Sequence, residues 1–362
     1  MTRSGPGRRA SGRVTLSDVA AEAGVSPSTA SLAFSGAGPV AAATRERVLA
    51  AAAALGWSGP DPTAVSLRRG RSGVVGVVVG ERLRDAFRDP YVVALLDGLV
   101  DELAAAGLAI LLLPMTRDLA GPPAEQFRTA SMDAVVFASG GLVGDPALRV
   151  LTDRGVPVVA VEGPDVPDAS VVRLDDRAGT AQAVRHLVGL GHRDVAVVTM
   201  QWRLDGVTGP LPDDRRAAGG FADTVNRLAG VLDVLEPTQV WESGGNTVEH
   251  GRDAAHRVLD VPVGRRPTAV MAQSDVLAAG VVQACDDLGL RVPEDVSVVG
   301  FDGVAIPWLA PHRLTTVVQP VEEKARAAAA MVLARLAGGG REDRTLHVRL
   351  RPGTTTGPAP AR

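Results

Sequence analysis

The residues with the clearest chemical purpose stand together: Ser26, Pro27, Ser28 and Thr29, with Leu32 one helical turn further on. Hydroxyls at the first turn of a helix can bond base edges or phosphates, and an aliphatic side chain one turn later can touch a thymine methyl. Such contacts need the helix to be presented to a groove, so the flanking stretch decides. From Val14 to Gly56 the chain reads as three short helices. Thr15 caps the first, with Asp18 three residues on in a capping-box arrangement, and Val19, Ala20 and Ala23 share one face. Gly24 supplies a tight turn, Ser26 caps the second helix and Pro27 takes its first position, where a missing amide costs nothing. That helix runs to about Phe34. A third, from about Ala42 to Leu55, gathers Val48, Ala52 and Leu55 on one side and stops at Gly56. Two helices across a short turn, backed by a third, form a helix-turn-helix, whose second helix enters the major groove.

No catalytic constellation competes with this reading. The chain has no G-x-S-x-G elbow, no phosphate-binding GKS or GKT loop and no His cluster at metal-ligand spacing, and GFDGV at 300–304 is a strand end. The one cysteine, Cys285, excludes an internal disulfide and a Cys-based zinc site and reads as an ordinary helix residue. His192, in an LGH turn ahead of a strand, reads as structural. Neither a cofactor nor a metal is expected, and the chain is not expected to be an enzyme. The net charge of −3 hides an asymmetry: residues 1–72 hold nine Arg against four carboxylates, a balance of +5, so the remainder carries −8. A basic head on an acidic body directs only the head to a polyanion. No apolar run reaches membrane-spanning length, and the basic N-terminus precedes no hydrophobic core, so the expected location is cytoplasmic.

Beyond Ser72 the pattern changes to short apolar runs alternating with helical stretches. Strands are expected at 73–80, 109–114, 133–139, 156–163, 195–199, near 238–241, and at 268–272, 296–302, 314–320 and about 346–350. Helices are expected at 91–106, 146–154, 176–190, 213–229, 248–259, 276–288 and 321–336. Near-continuous Val, Leu and Ile runs between helices mark strands buried on both faces, hence parallel sheets. Trp202 and Trp308 fall in loops after strands; in a chain only 3% aromatic they are candidate ligand contacts, with apolar lid or crevice filler as the equal alternative.

The runs VTLSDVA, AGVSPSTAS, TRERV and SLRRGRSGVVGVVV resemble the LacI/GalR family of bacterial repressors. The resemblance continues through DDRAGTAQAVRHLVGLGHR, RRAAGGF, SDVLAAG, LGLRVPEDVSVVGFD and LTTVVQP to about residue 352. It implies a small all-α head joined to a two-lobed, doubly wound α/β sensor of periplasmic-binding-protein type. The expected organisation is a disordered basic tail at 1–12, the helix-turn-helix at 13–58, a hinge helix or linker at 59–72, a ligand-binding core at 73–352 and a disordered tail at 353–362. Within the core the first lobe takes about 73–173 and 303–330, the second about 174–302 and 331–352.

The resemblance also assigns roles. Leu67, with Ala64 one turn earlier, matches the hinge residue that wedges into the minor groove, and Arg68, Arg69 and Arg71 would face phosphates. Asp61 and Pro62 depart from the family pattern at the start of that helix. Leu32 departs too, standing where an Arg often pairs with guanine. In the sensor, Asp275 at a helix start would accept sugar hydroxyls, Arg216 would donate to ring or hydroxyl oxygens with Arg215 as its alternate, Asn246 falls near a ligand-contacting position, and Tyr91 matches an aromatic that stacks on a sugar or base. The expected protein is a transcriptional regulator, a repressor binding a palindromic operator in double-stranded DNA as a homodimer, controlled by a small molecule, a carbohydrate by family precedent, between two lobes. The alternative is a sugar-binding protein without operator function.

Overall fold

The structure is a computed structural model that describes residues 14–36, 38–59, 65–66, 70–79, 83–114, 122–138, 146–163 and 168–361. The chain divides into two compact units, 1–72 and 73–362. In the first, local chemistry defines three helices, α1 (Leu16–Glu22), α2 (Pro27–Ser35) and α3 (Ala42–Ala54). Thr15 and Asp18 close a reciprocal capping box, and Ser26 accepts the Thr29 amide at 3.1 Å with Pro27 in the first turn. Val19, Ala20, Ala30, Ala33, Val48 and Ala52 form the small core, and Phe34 meets Trp57 edge-on at 4.6 Å. The expected basic tail at 1–12 lies outside the described residues.

The second unit begins with β1 (Val74–Val79), α4 (Leu83–Ala86), α5 (Pro90–Ala105), β2 (Ala109–Pro114), α6 (Pro122–Thr129), β3 (Ala134–Phe137), α7 (Pro146–Asp153), β4 (Val158–Val161) and β5 (Ser170–Leu174). It continues with α8 (Asp176–Gly189), β6 (Val195–Thr199), β7 (Gly209–Pro210), α9 (Asp213–Ala217), α10 (Ala222–Leu232), β8 (Gln239–Glu242), α11 (Val248–Leu259), β9 (Ala269–Ala272), α12 (Asp275–Asp287), β10 (Ser297–Asp302), β11 (Thr315–Val318), α13 (Val321–Leu336), β12 (Asp343–Leu346) and β13 (Arg349–Arg351). Two sheets result, β12-β5-β4-β3-β1-β2 and β13-β11-β10-β9-β6-β8-β7, parallel except where β13 and β7 join antiparallel at the edges of the second. The central strands β1, β3, β4, β6, β9 and β10 are buried almost throughout, the condition that made them continuous apolar runs, whereas the edge strands β7, β12 and β13 are largely exposed.

Four expectations need correction. The lobe boundaries differ: β11 belongs to the second sheet, whereas β12 pairs with β5 in the first, and α13 stays one helix against the first sheet instead of dividing at residue 330. The single strand expected at 346–350 is two, because the chain crosses between the lobes there. With Leu174–Asp176 and Val318–Val321, this makes three crossings. The helix expected at 213–229 breaks between α9 and α10, where Gly219 takes φ 78 and Gly220 lies so close to Trp202 that a Cβ would stand 2.7 Å from the indole nitrogen. Close approach matters at Gly98 as well: its absent Cβ would stand 2.7 Å from that of Ala325, so α5 and α13 press together.

The segment after 352, expected as a disordered tail, is an ordered strap along the second lobe. Thr355 is buried, donating to the Val298 carbonyl at 2.7 Å and accepting the Thr315 amide at 2.9 Å, while Gly357 accepts from His192 at 3.0 Å. His192 is the structural residue its turn suggested, bonded also to Thr268. Replacing the buried hydroxyl strands one amide and one carbonyl, so Thr355→Val should lose about 2 kcal/mol in urea unfolding, whereas an unchanged midpoint would mean the strap adds nothing.

Candidate functional site

In the head, α2 turns Ala30 and Ala33 inward and leaves Pro27, Ser28 and Leu32 exposed, with Thr29 half-buried. The Ser26 hydroxyl lies 2.9 Å from that of Ser28 and 2.8 Å from that of Thr29, so these hydroxyls are pre-arranged at the helix start. Thr15 is engaged by Asp18, its hydroxyl donating at 2.7 Å. Ala64, Leu67 and Arg68, with Asp61 and Pro62, lie outside the described residues.

The sensor's polar residues converge between the two sheets. Tyr91, in the first turn of α5, donates to Glu162 at 3.0 Å, just beyond β4. Lys324, on α13 and wholly buried, donates to the Tyr91 hydroxyl at 2.8 Å, to Glu162 at 2.5 Å and to Gln319. From the second lobe Arg227, on α10 and 3% exposed, reaches the same Glu162 at 3.3 Å, Asp176 at 3.0 Å and the Gln273 carbonyl at 2.7 Å, with its guanidinium 3.8 Å over the Phe301 ring. Gln319, in a crossing segment, donates to Asp302 at 2.6 Å. Asn246 makes a second bridge, donating to Asp89 of the first lobe at 2.9 Å and accepting from Ser274 at 2.5 Å.

Each expected effector residue finds a defined place. Tyr91 is largely buried, and its hydroxyl is taken by Glu162 and by the Lys324 ammonium, which lies 4.8 Å from the ring centroid on the hydroxyl side. Asp275 is fully buried, accepting from the Gly303 and Val304 amides at 2.8 and 2.9 Å and from Thr316 at 2.6 Å; its carboxylate braces the loop after β10. Arg216 lies half-buried against Asp213. Arg215 instead grips the buried Glu242 at 2.6 and 2.8 Å and Asp205 at 2.9 Å, so of the two arginines Arg215 is the one that faces inward. Trp202 is 2% exposed, its amide on Glu242 at 2.7 Å and its indole nitrogen without a partner among the described residues. Trp308 is 55% exposed on the turn Pro307–Leu309, apart from this cluster.

Sequence reasoning missed Glu162, Arg227, Lys324, Asp302 and Gln319. A signal existed for one: Lys324 is the only lysine in the chain, and it bonds the only tyrosine. Among the described residues no group of three His, Cys, Asp or Glu is placed to hold a metal, and no helix is long and apolar enough to cross a membrane. The arrangement is a buried network of mutually bonded polar groups at the division between the lobes, with Glu162, Gln273 and Asp302 at the C-terminal ends of β4, β9 and β10, the side on which α/β folds bind ligands.

Burial shapes the charges. It pushes Asp275 up to about 7 against the Thr316 hydroxyl and two amides, pushes Asp89 up to about 6 and raises Asp302 far above the ordinary range. Burial would raise Glu162 too, but Lys324 and Arg227 hold it below the usual value.

A helix-turn-helix unit beside a two-lobed α/β sensor defines a ligand-responsive DNA-binding protein. Residues 15–59 match the family described as bacterial regulatory proteins, lacI family, and residues 184–356 the periplasmic binding protein-like domain. An HTH-type transcriptional regulator of Mycobacterium tuberculosis is 34% identical over 96% of this chain and 98% of its own. The Lac repressor bound to ONPG in the repressed state superposes with a TM-score of 0.75 at 25% identity, covering 95% of this chain and 99% of that one. The transcriptional regulator CelR in its cellobiose complex gives 0.65 at 28%, covering 95% and 100%. The chain belongs to the LacI family of transcriptional regulators.

An aspartate titrating near 3.8 when unfolded but about 7 when folded binds its proton more tightly in the native state, so stability falls as pH rises between those values. His186 and His192, both lowered by burial, oppose the trend while the unfolded imidazoles still carry protons, and they do so equally in wild type and in an Asp275 variant. Measured against Asp275→Asn, the wild-type melting temperature should fall as pH rises from ~4 to ~7; a difference that stays constant across that range would place the titration elsewhere, as at Asp176, which burial also pushes up to about 7.

Proposed function

We propose that this chain is a cytoplasmic, non-enzymatic repressor that binds a palindromic operator as a homodimer and is released or recruited by a small hydroxyl-rich effector, a sugar, held between its lobes. The observation that carries this reading is the exposed edge of α2, where Ser28 and Leu32 project away from the buried Ala30 and Ala33 within a segment matching the regulatory family. Phosphate contacts by Arg45, Arg47 and Arg71 supply affinity without sequence preference, and the α2 edge supplies discrimination. Leu32 contributes an apolar contact where guanine pairing is lost, which favours thymine at that position of each half-site. Gly38 leaves room for it, since a Cβ there would stand 3.1 Å from a Leu32 methyl. Leu67, with Ala64 and Arg68, would complete the interface through the minor groove between paired hinges.

Effector recognition is assigned to the interlobe recess, with Tyr91, Asn246, Arg215 in place of Arg216, and the unpartnered Trp202 indole nitrogen as contacts. Asp275 holds the loop after β10 through the Gly303 and Val304 amides. The relative solved with cellobiose supports a carbohydrate. Incubating the full-length protein with sheared genomic DNA at physiological salt and sequencing what it retains tests the reading. One palindromic motif should be enriched, and Ser28→Ala, Thr29→Ala, Leu32→Ala in one chain should fall to non-specific binding, a loss of about a thousandfold or more. Retention without any motif, with and without a sugar mixture, would leave only a sugar-binding protein.

A further inference from the structure

We propose that Arg227 is a clasp between the lobes: its guanidinium, rooted in the second lobe, holds Glu162 of the first, with Asn246 on Asp89 as a second fastening. The balance between closed and parted lobes is then set within the protein, and an effector acts on that balance. The regulatory meaning rests on the effector reading above; the clasp itself does not.

The bonds fall on either side of the division in a particular way. Within the first lobe Glu162 accepts from Lys324 at 2.5 Å and Tyr91 at 3.0 Å. Within the second lobe and its entry crossing, Arg227 donates to Asp176 at 3.0 Å and to the Gln273 carbonyl at 2.7 Å. The 3.3 Å bond from Arg227 to Glu162 spans the two directly, while Gln319 in a crossing segment joins Lys324 to Asp302. At Arg227, parting the lobes breaks the bond to Glu162 and leaves neither partner alone, since Lys324 still bonds Glu162 and Asp176 still bonds Arg227. A buried pair whose separation stranded both charges would lock the lobes; this one is reversible. Asn246 repeats the pattern: Asp89 keeps the Tyr91 amide at 2.9 Å and Asn246 keeps Ser274 when their shared bond opens. A ligand that enters the recess competes for or reinforces these two bonds, and it can shift the equilibrium only by that difference.

Labels on Gln126→Cys in the first lobe and Arg257→Cys in the second, both exposed, measure the lobe separation in the full-length chain without effector or DNA. Cys285 is buried and stays unlabelled. Arg227→Gln should raise the long-distance population about ten- to a hundredfold, the range expected for a hydrogen bond to a charged group, with Asn246→Ala giving a smaller shift and Arg227→Lys an intermediate one. The single lysine gives one ε-ammonium resonance after lysine labelling, and it should stay protected from solvent in Arg227→Gln, because its contacts with Tyr91 and Glu162 lie within one lobe. Unchanged distances in a folded Arg227→Gln overturn the clasp, as does loss of the lysine protection alongside the shift, which would report collapse of the first lobe. If that variant does not fold, unchanged distances in both Arg227→Lys and Asn246→Ala overturn it. An effector screen that fails while the distances shift rejects the effector reading alone.

Discussion

Glu162 is a single buried charge that answers two buried cations, and the arrangement of the sensor follows from keeping all three compensated. An uncompensated ion in this interior would cost more than any neighbouring packing contact returns. The pairing therefore dictates where α13 and α10 lie: Lys324 must face β4, and Arg227 must face back across the division. The close approach at Gly98 and Ala325 lets α13 settle against α5, which brings Lys324 to the Tyr91 hydroxyl. Gln319 then passes the network along a crossing segment to Asp302, whose backbone, at φ 125, is held in a conformation non-glycine residues rarely adopt. Strain at that position persists because Arg227, Gln319 and the Asp275 amide all hold the carboxylate.

Much of the architecture was legible because it rests on local chemistry. Helices α11 and α13 fall on their expected residues, 248–259 and 321–336, the first with Thr247 capping the His250 amide at 3.3 Å. The head was legible for the same reason, through Thr15, Ser26 and Gly56. What escaped depends on partners far away in the chain. Strand β5, SVVRL, is short and carries an arginine; it is a strand because β4 and β12 flank it, and β12 lies some 170 residues on. The strap after 352 is rich in Thr, Gly and Pro and reads as a solvated tail, yet its hydroxyls satisfy amides and carbonyls of β10 and β11 that would otherwise be buried alone.

The candidate site was half legible, and the division has a physical cause. Tyr91, Asn246 and Asp275 were singled out from family position; the first two lie at the junction of the lobes, whereas Asp275 bonds within the second. Their partners were not, since a hydrogen bond between α5 and α13 leaves no periodicity in either helix. Trp202 was visible as a scarce aromatic, but its burial against Gly220 was not, because the break between α9 and α10 that accommodates it is a tertiary effect overriding a continuous helical pattern.

The choice of cation at residue 324 carries the same constraint to its limit. This chain uses arginine for every other basic side chain, so a lone lysine at the most enclosed basic position reflects geometry and not composition. A guanidinium spreads five donors in a plane and suits the role of Arg227, which must reach Asp176, Gln273 and Glu162 in different directions while stacking on Phe301. The ammonium of Lys324 has three donors at a point, matched by Tyr91, Glu162 and Gln319. A larger head would push α13 from α5, and a neutral one would leave Glu162 dependent on Arg227 alone. The shared carboxylate could then no longer let its cross-lobe partner go, and a sensor whose lobes cannot part without stranding a charge cannot respond to what enters between them.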